Sequence, residues 1–432
     1  MIDIRARSNS VIKFAAFFTI GALISACSGP YGDGLPYEGW SNSKQARIQK
    51  THASSLVLDA HADIVLPATS HTYLAAGGES KVSPAKLKAG GVGAVVMSIA
   101  VGPGPRNSQG DAKARMIANE KLSAIQTLIA ENTNQLVLSK SVAELKLARE
   151  KGLTSIVLGL QNARILQGDV NSLDQFYVSG VRVFGLNHLG HNDFSDSSRP
   201  FFNSQTASYE PAQEHGGLSD LGVAAIQRIN DLGGIVDISQ MSMAASLQAI
   251  LLSRAPVIAS HSNARAITNV SRNLSDLEID KIADAGGVIH VAAFGAYLVD
   301  LSDPKTLGLI VKVRQQHGLP EAYSYPYELY WELSDSKAKL AFLTQMRGVI
   351  GPGSIDDMLV HIDYIVDRVG IDHVGIGNDF NHGSGIQDFA DAADSNNLTA
   401  ALIEGGYSTA DIEKIWGANF LRVMKNAEQL AK

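Results

Sequence analysis

A single cysteine, Cys27, occurs in 432 residues. With Cys27 assigned to the N-terminal segment described below, the rest of the chain has no disulfides and no thiolate catalysis. A basic excess is missing too: the formal net charge is −7, which argues against a general nucleic-acid binder, since that role needs a basic stripe. No glycine-rich phosphate turn follows the first strand-like run, which counts against a dinucleotide-binding fold. Neither low-complexity tracts nor a repeat of 20–50 residues is present, which excludes collagen, coiled coil and solenoid readings. What remains is globular composition, 45% hydrophobic and 18% charged. The length allows two or three domains, but α/β barrels use as many residues in one.

The N-terminus reads as a targeting segment. Arg5, Arg7 and Lys13 precede "FAAFFTIGALI", too short a run to predict a membrane span. It ends in Ile24-Ser-Ala-Cys27, which looks like a bacterial lipobox; the other reading is an ordinary signal peptide with a chance cysteine. Residues 1–27 are therefore expected to be a lipoprotein signal peptide, with Cys27 the lipidated first residue of the mature chain. Ser28, where an aspartate typically marks inner-membrane retention, points to the outer membrane. The expected location is the periplasm of a bacterial cell envelope, with a lipid anchor to the membrane. Residues 28–50, rich in Gly, Pro and Ser, read as a flexible tether.

From residue 51 short β-branched runs alternate with helical patterns, the signature of βαβ units. Eight runs are expected as strands: Leu56–Asp63, Gly93–Val101, Thr154–Gln161, Val181–His188, Gly234–Gln240, Pro256–His261, Gly287–Ala293 and His373–Asp379. Most are continuous apolar stretches, as in parallel strands buried on both faces. Segments such as "LSDLGVAAIQRINDLG" and "IDDMLVHIDYIVDRVG" read as the crossover helices. The prediction is an α/β fold, a single-domain (β/α)8 TIM barrel over residues 51–425. Leu301–Pro352, with the run "YSYPYELYWELSD", reads as an inserted, partly helical excursion after the seventh strand, placed to cover the barrel mouth.

The runs end in a constellation. The first closes with His61 and Asp63, which at i and i+2 share a face. Gln161, His188, Gln240, His261 and Asp379 end five others. Barrel strand ends converge on one face, where barrel active sites lie. Singly, each residue has a plain alternative: His61-Ala-Asp63 as a polar turn, His188 as a hydrogen-bonded core histidine, Asp379 as a loop cap. Jointly they point to a metal or catalytic centre. Imidazole and carboxylate with an open position suit Zn²⁺ or another divalent ion, which lowers the pKa of its water to about 7. Asp379 is placed to take a proton from that water and hand it to a leaving amine.

The stretches "VLDAHADIVLP", "GDVNSLDQFYVSGVRVFGLNHLGHNDFSDSS", "GLSDLGVAAIQRINDLGGIVDISQMS", "APVIASHSNARAITNVSRNLSD" and "HIDYIVDRVGIDHVGIGNDF" run collinearly through the chain. Together they resemble the membrane (renal-type) dipeptidases, peptidase family M19 of the amidohydrolase superfamily. The resemblance implies a metallo-dependent-hydrolase barrel with a two-zinc centre that cleaves dipeptides carrying a free carboxylate. It assigns His61 and Asp63 to one metal, His261 to the second and Asp379 to catalysis. It also assigns Arg272 to the substrate carboxylate, His188 to the substrate and its oxyanion, and Asn192 to substrate binding. A homodimer is compatible with it.

Two positions depart from the family pattern. Gln161 stands where the family has a metal-bridging glutamate, and Gln240 where it has a histidine. A glutamine offers one neutral carbonyl oxygen in place of two anionic ones. Repulsion between two dications a few Å apart is several kcal/mol at an effective dielectric of about 20. One ion per chain is therefore expected, held by His61, Asp63 and Asp379 with His261 within reach, and with Gln161 and Gln240 at most weak ligands. The leading expectation is a mononuclear hydrolase of dipeptides or related small amides. The alternatives are a repurposed periplasmic enzyme, tailoring a peptide natural product or siderophore precursor, and a non-catalytic carboxylate-binding protein.

Overall fold

The computed structural model describes residues 42–203, 206, 208–319, 333 and 335–432. The expected signal peptide, Cys27 and most of the expected tether lie outside the described residues, as does most of the aromatic run. Eight parallel strands form the barrel: β1 (Leu58–Asp63), β2 (Ala94–Ala100), β3 (Thr154–Gln161), β4 (Val181–Gly185), β5 (Ile235–Asp237), β6 (Ile258–Ala259), β7 (Val288–Val291) and β8 (Val374–Ile376). Each pairs with the next in that order. Closure is made by a parallel bridge between Ala62 and Phe380. There the Asp379 amide donates to the His61 carbonyl at 2.9 Å and the Asp63 amide to the Phe380 carbonyl at 2.9 Å. The seam of the barrel thus sets Asp379 beside His61.

β1, β2 and β3 are buried along their whole length, as parallel strands covered on both faces must be. Residues near the strand starts, among them Leu58, Val96, Val157, Ile235 and Val288, form one apolar cluster with Phe420, Val423 and Met424 of the C-terminal helix Asn419–Glu428. The two expected crossover helices are present with their end signals. Helix Asp220–Leu232 is capped by Ser219, which accepts from the Gly222 amide, and stopped by left-handed Gly233. Helix Ile355–Val369 begins with a capping box of Ser354 and Asp357.

Three expectations need correction. The observed strands β4, β5, β6 and β8 stop two or three residues before the polar side chains expected to end them. At β6 the cause is visible: the Ser260 amide donates to Asp237 Oδ1 at 2.9 Å and the His261 amide to Ser239 Oγ at 3.1 Å. Side chains replace the ladder there and pull the chain away from its neighbour. The tether expected through residue 50 ends earlier, because helix Asn42–Ser54 begins at Asn42 and buries Ile48 and His52. Strand Leu136–Leu138, flanking β3, and the hairpin Phe202–Asn203 with Ser208–Tyr209 were not expected at all.

Between β7 and β8, helices Pro304–Gln316 and Ser336–Ile350 occupy the inserted segment, and helix Gly295–Leu298 leads into it. Tyr297, Leu301, Ile310, Val313, Phe342 and Met346 give it an apolar cluster of its own. Leu343, Met346 and Ile350 face the cavity at the barrel mouth. No helix among the described residues is long and apolar enough to cross a membrane.

Candidate metal centre

β1, β6 and β8 deliver the centre. Ligand atoms of His61, His261 and Asp379 all lie within 4.8 Å of one another, and all three residues are buried. The imidazoles stack with centroids 3.9 Å apart, and His61 Nε2 stands 3.8 Å from Asp379 Oδ1. Burial, the largest cause, lowers the pKa of both histidines. They are therefore neutral near pH 7, the form that ligates a metal. Burial pushes the Asp379 carboxyl up, against the lowering effect of His382 and His61.

Ser260 fixes which nitrogens face the centre. Its hydroxyl donates to Asp237 Oδ2 at 2.6 Å. With one proton to give, it accepts at its other contacts: His261 Nδ1 at 2.7 Å and His61 Nδ1 at 3.4 Å. Both rings then carry the proton on Nδ1 and keep the lone pair on Nε2, which in His61 faces Asp379.

Asp63 lies beside this group rather than in it. Its Oδ2 accepts from His382 Nδ1 at 2.8 Å and pairs with Lys121 Nζ at 3.5 Å. Burial raises the Asp63 pKa, but Lys121 and His382 outweigh it and the net shift is downward. Its Oδ1 is buried without a hydrogen-bond partner. An orphaned anionic oxygen next to two neutral imidazoles and a carboxylate is a donor set that fits a divalent cation. Asp59, two residues before His61, accepts from the amides of Asn378 at 2.8 Å and His61 at 3.2 Å. Burial pushes its carboxyl up to about 7.

Both glutamines reach His261, each with Nε2 3.4 Å from His261 Nε2. The orientation of Gln240 is dictated by its other end, because Arg199 Nη2 donates to Gln240 Oε1. A guanidinium only donates, so the atom facing it is oxygen and the amide NH₂ points at His261. Gln240 therefore presents protons, not a ligand oxygen, to the place where the resemblance puts a second metal. Gln240 and Asp379 hold positive φ, 69° and 61°. Such left-handed backbone in non-glycine residues is uncommon and tends to gather at functional sites.

A cavity of about 480 Å³ opens above the centre, within the range of small-molecule sites. His188, Gln240, Asp379 and His382 line its floor side, Tyr73 stacks on His382 at 5.3 Å, and Phe294 stacks on Tyr297 at 4.3 Å. His188 Nδ1 is buried without a partner, and burial holds the ring's pKa well below its usual value. Asn192 was expected at the substrate. Its Nδ2 donates to Leu186 O at 2.7 Å and Asn162 Oδ1 at 3.2 Å, and its Oδ1 accepts from the amides of Phe194 and Ser195. All its capacity goes to shaping the loop after β4, and it does not line the cavity. Arg272 does not line it either: its Nη1 donates to Ser262 Oγ at 3.0 Å and Nη2 to the His261 carbonyl at 2.7 Å.

Residues 45–432 match the family model described as membrane dipeptidase (peptidase family M19). Among solved structures, the probable dipeptidase PvdM from Pseudomonas aeruginosa is 33% identical, with a TM-score of 0.80 over 91% of this chain and 100% of that one. A metallo peptidase from Rhodobacter sphaeroides, liganded with a phosphinate mimic of the dipeptide L-Ala-D-Ala, shares the fold at 21% identity, with a TM-score of 0.64 over 87% of this chain and 100% of that one. The dipeptidase aclJ of Aspergillus oryzae is 27% identical over 319 residues, 72% of this chain and 61% of that protein. The match thus spans about three fifths of that relative's length.

Proposed function

Because the chain belongs to the membrane dipeptidases, peptidase family M19, a family of metal-dependent hydrolases, we propose that it cleaves dipeptides or related small amides with one zinc ion per chain. The observation that carries this reading is the buried group of His61, His261 and Asp379 at the seam of the barrel. These three would hold the ion, with Asp63 Oδ1 beside them. The ion when bound would supply Lewis acidity toward the scissile carbonyl and a water acidified toward neutral pH.

The protein's own groups then have distinct tasks. Asp379 accepts the water's proton and returns it to the departing nitrogen as the carbon–nitrogen bond breaks. His188, which lines the cavity and is kept neutral by burial, donates a ring N–H to the carbonyl oxygen as that atom gains charge. Asp63 anchors His382 and, through it, the stacked Tyr73 that walls the cavity. A single ion is proposed because Gln240 turns NH₂ toward His261 and Gln161 brings no anionic oxygen. The barrel is proposed to sit in the periplasm on a lipidated Cys27, at the outer membrane; fractionation of Cys27→Ser protein with an acyl label would test this, and unchanged membrane association would refute it.

Turnover of a dipeptide panel with and without chelator, alongside elemental analysis, tests the proposal. Metal-dependent hydrolysis with about one ion per chain, abolished in Asp379→Asn, is the expected result. A second reading, a barrel diverted to another reaction, is favoured by the Arg199–Gln240 contact, which occupies the oxygen of a residue at the second-metal position. Wild-type inactivity reversed by Gln161→Glu with Gln240→His would select it over the first.

A further inference from the structure

Helix Ser108–Glu131, which follows β2, carries a charge on its inner face. Ala114, Ala118 and Ile125 are its buried residues, and Lys121 stands at helical spacing from each of them, on the same stripe. An apolar side chain is what that position calls for. Lys121 instead runs inward with its side chain 14% exposed, and its Nζ stands 3.5 Å from Oδ2 of the buried Asp63. It does not line the cavity, so it meets Asp63 from the helix side rather than from the mouth. Taking an ammonium and a carboxylate out of water is expensive, and an apolar pair of similar volume is often as stable or more so. The fold alone therefore gives little reason for this pair.

The way Asp63 is held supplies one. Lys121 and the His382 Nδ1 donor, the latter at 2.8 Å, both sit on Oδ2, while Oδ1 is buried with no hydrogen-bond partner. One oxygen is anchored and the other is left for a cation. Burial works to neutralise the Asp63 carboxyl, and Lys121 is the first of the charges that keep it ionised.

We propose that Lys121 is the resident counter-ion of the centre, a fixed single charge that holds Asp63 in the metal-free chain and against which a divalent ion binds. This rests on the reading of His61, His261 and Asp379 as a metal centre. Lys121 touches Asp63 and not the reacting atoms, so it is a positioning residue. Two effects follow from the one contact. Without an ion, Lys121 stabilises the chain, because a buried carboxylate stripped of its partner is costly. With an ion, the same ammonium repels the incoming double charge, and in a dry site that repulsion is poorly screened. The ion is thus held more loosely than its ligands alone would hold it, and the metal-free site keeps its shape.

Zinc affinity is measured by calorimetric competition with a chelator on the full chain stripped of metal, and melting is followed with and without zinc. Lys121→Gln keeps a donor for Asp63 and removes only the charge, Lys121→Met removes both, and Lys121→Arg keeps the charge. The two neutral variants are expected to bind zinc about tenfold or more tighter than the wild type, and Lys121→Arg to stay within about threefold of it. In the metal-free chain Lys121→Met is expected to melt lower than the wild type, with zinc closing the gap. In an Asp63→Asn background the same substitution is expected no longer to lower the metal-free melting temperature. A lysine with a structural role alone would lower stability and zinc affinity together, so the opposite signs are the signature. Zinc affinity in the neutral variants equal to or below that of the wild type would overturn the proposal; should Lys121→Met fail to fold, Lys121→Gln decides. Zinc binding by none of the chains would overturn it together with the metal-centre reading. The expected order of zinc affinities without turnover of any dipeptide would uphold it and count against hydrolysis alone.

Discussion

Ser260 has one proton, and where that proton goes decides how two imidazoles meet a cation. Because it is donated to Asp237 at 2.6 Å, His261 and His61 must both present Nε2 to the centre. Ser260→Ala removes the acceptor that pins them and leaves Asp237 buried with one bond fewer. Partners of this kind typically alter metal affinity about 10–100-fold when removed. The expected outcome is a loss of that order in zinc affinity by calorimetric titration, with a shift of the imidazole nitrogen resonances of the metal-free protein. Wild-type affinity in Ser260→Ala would refute the tautomer argument. None of this was legible in the sequence, where Ser260 and Asp237 are ordinary strand-end polar residues. His61, His261 and Asp379 were legible, since strand ends in a barrel converge. His382 stood three residues beyond Asp379, yet nothing in its spacing signals that its loop turns it back onto Asp63. The four side-chain hydrogen bonds of Asn192, to Leu186, Asn162, Phe194 and Ser195, were not legible from its neighbours either.

Elements were legible wherever periodicity and end signals agreed. Helix Ile355–Val369 shows why: its apolar stripe, capping box and terminal glycine all state the same boundaries. The strand ends failed for a physical reason, since continuous burial runs on past the ladder, which at β6 and β8 gives way to side-chain bonds to Asp237, Ser239 and Asp59. One buried residue of that helix carries a pH dependence. His361 accepts from the Ala264 amide at 3.1 Å and donates to the Leu298 carbonyl at 3.0 Å, so it is held neutral. Burial lowers its pKa from 6.5 to about 4, with the Leu298 bond opposing. The unfolded chain thus binds the proton more readily. The helix's contribution is complete above about pH 6.5 and is lost as pH falls toward 4, amounting to about 2 kcal/mol between pH 7 and pH 5. His361→Gln keeps a donor for Leu298 without the titration. Urea unfolding at the two pH values should show the wild type losing about that much more stability than the variant. Parallel losses in both proteins would assign the acid sensitivity elsewhere, for example to His290, whose pKa burial also lowers to about 4.

On the scale of the whole molecule, the barrel closes where the centre sits. β1 and β8 meet through two amide–carbonyl bonds flanking His61 and Asp63, and β6 brings His261 from across the barrel. An ion held by His61, His261 and Asp379 would therefore tie the first strand to the last and both to the sixth, adding a cross-link at the least continuous part of the sheet. Closure of this kind was legible as a fold class, because eight apolar runs with crossovers leave few other solutions; that the seam itself carries the centre was not. Linkage gives the consequence: a ligand that binds only the folded chain stabilises it by about 2.7 kcal/mol at 100 times its dissociation constant. Zinc is expected to raise the melting temperature of the wild type in a concentration-dependent way, with chelator reversing it. Asp379→Ala, which removes a ligand at the seam, is expected to melt at a temperature indifferent to zinc, and Gln240→His to respond at least as strongly as the wild type. Equal zinc responses in the wild type and Asp379→Ala would place the ion away from the seam and separate metal binding from barrel closure.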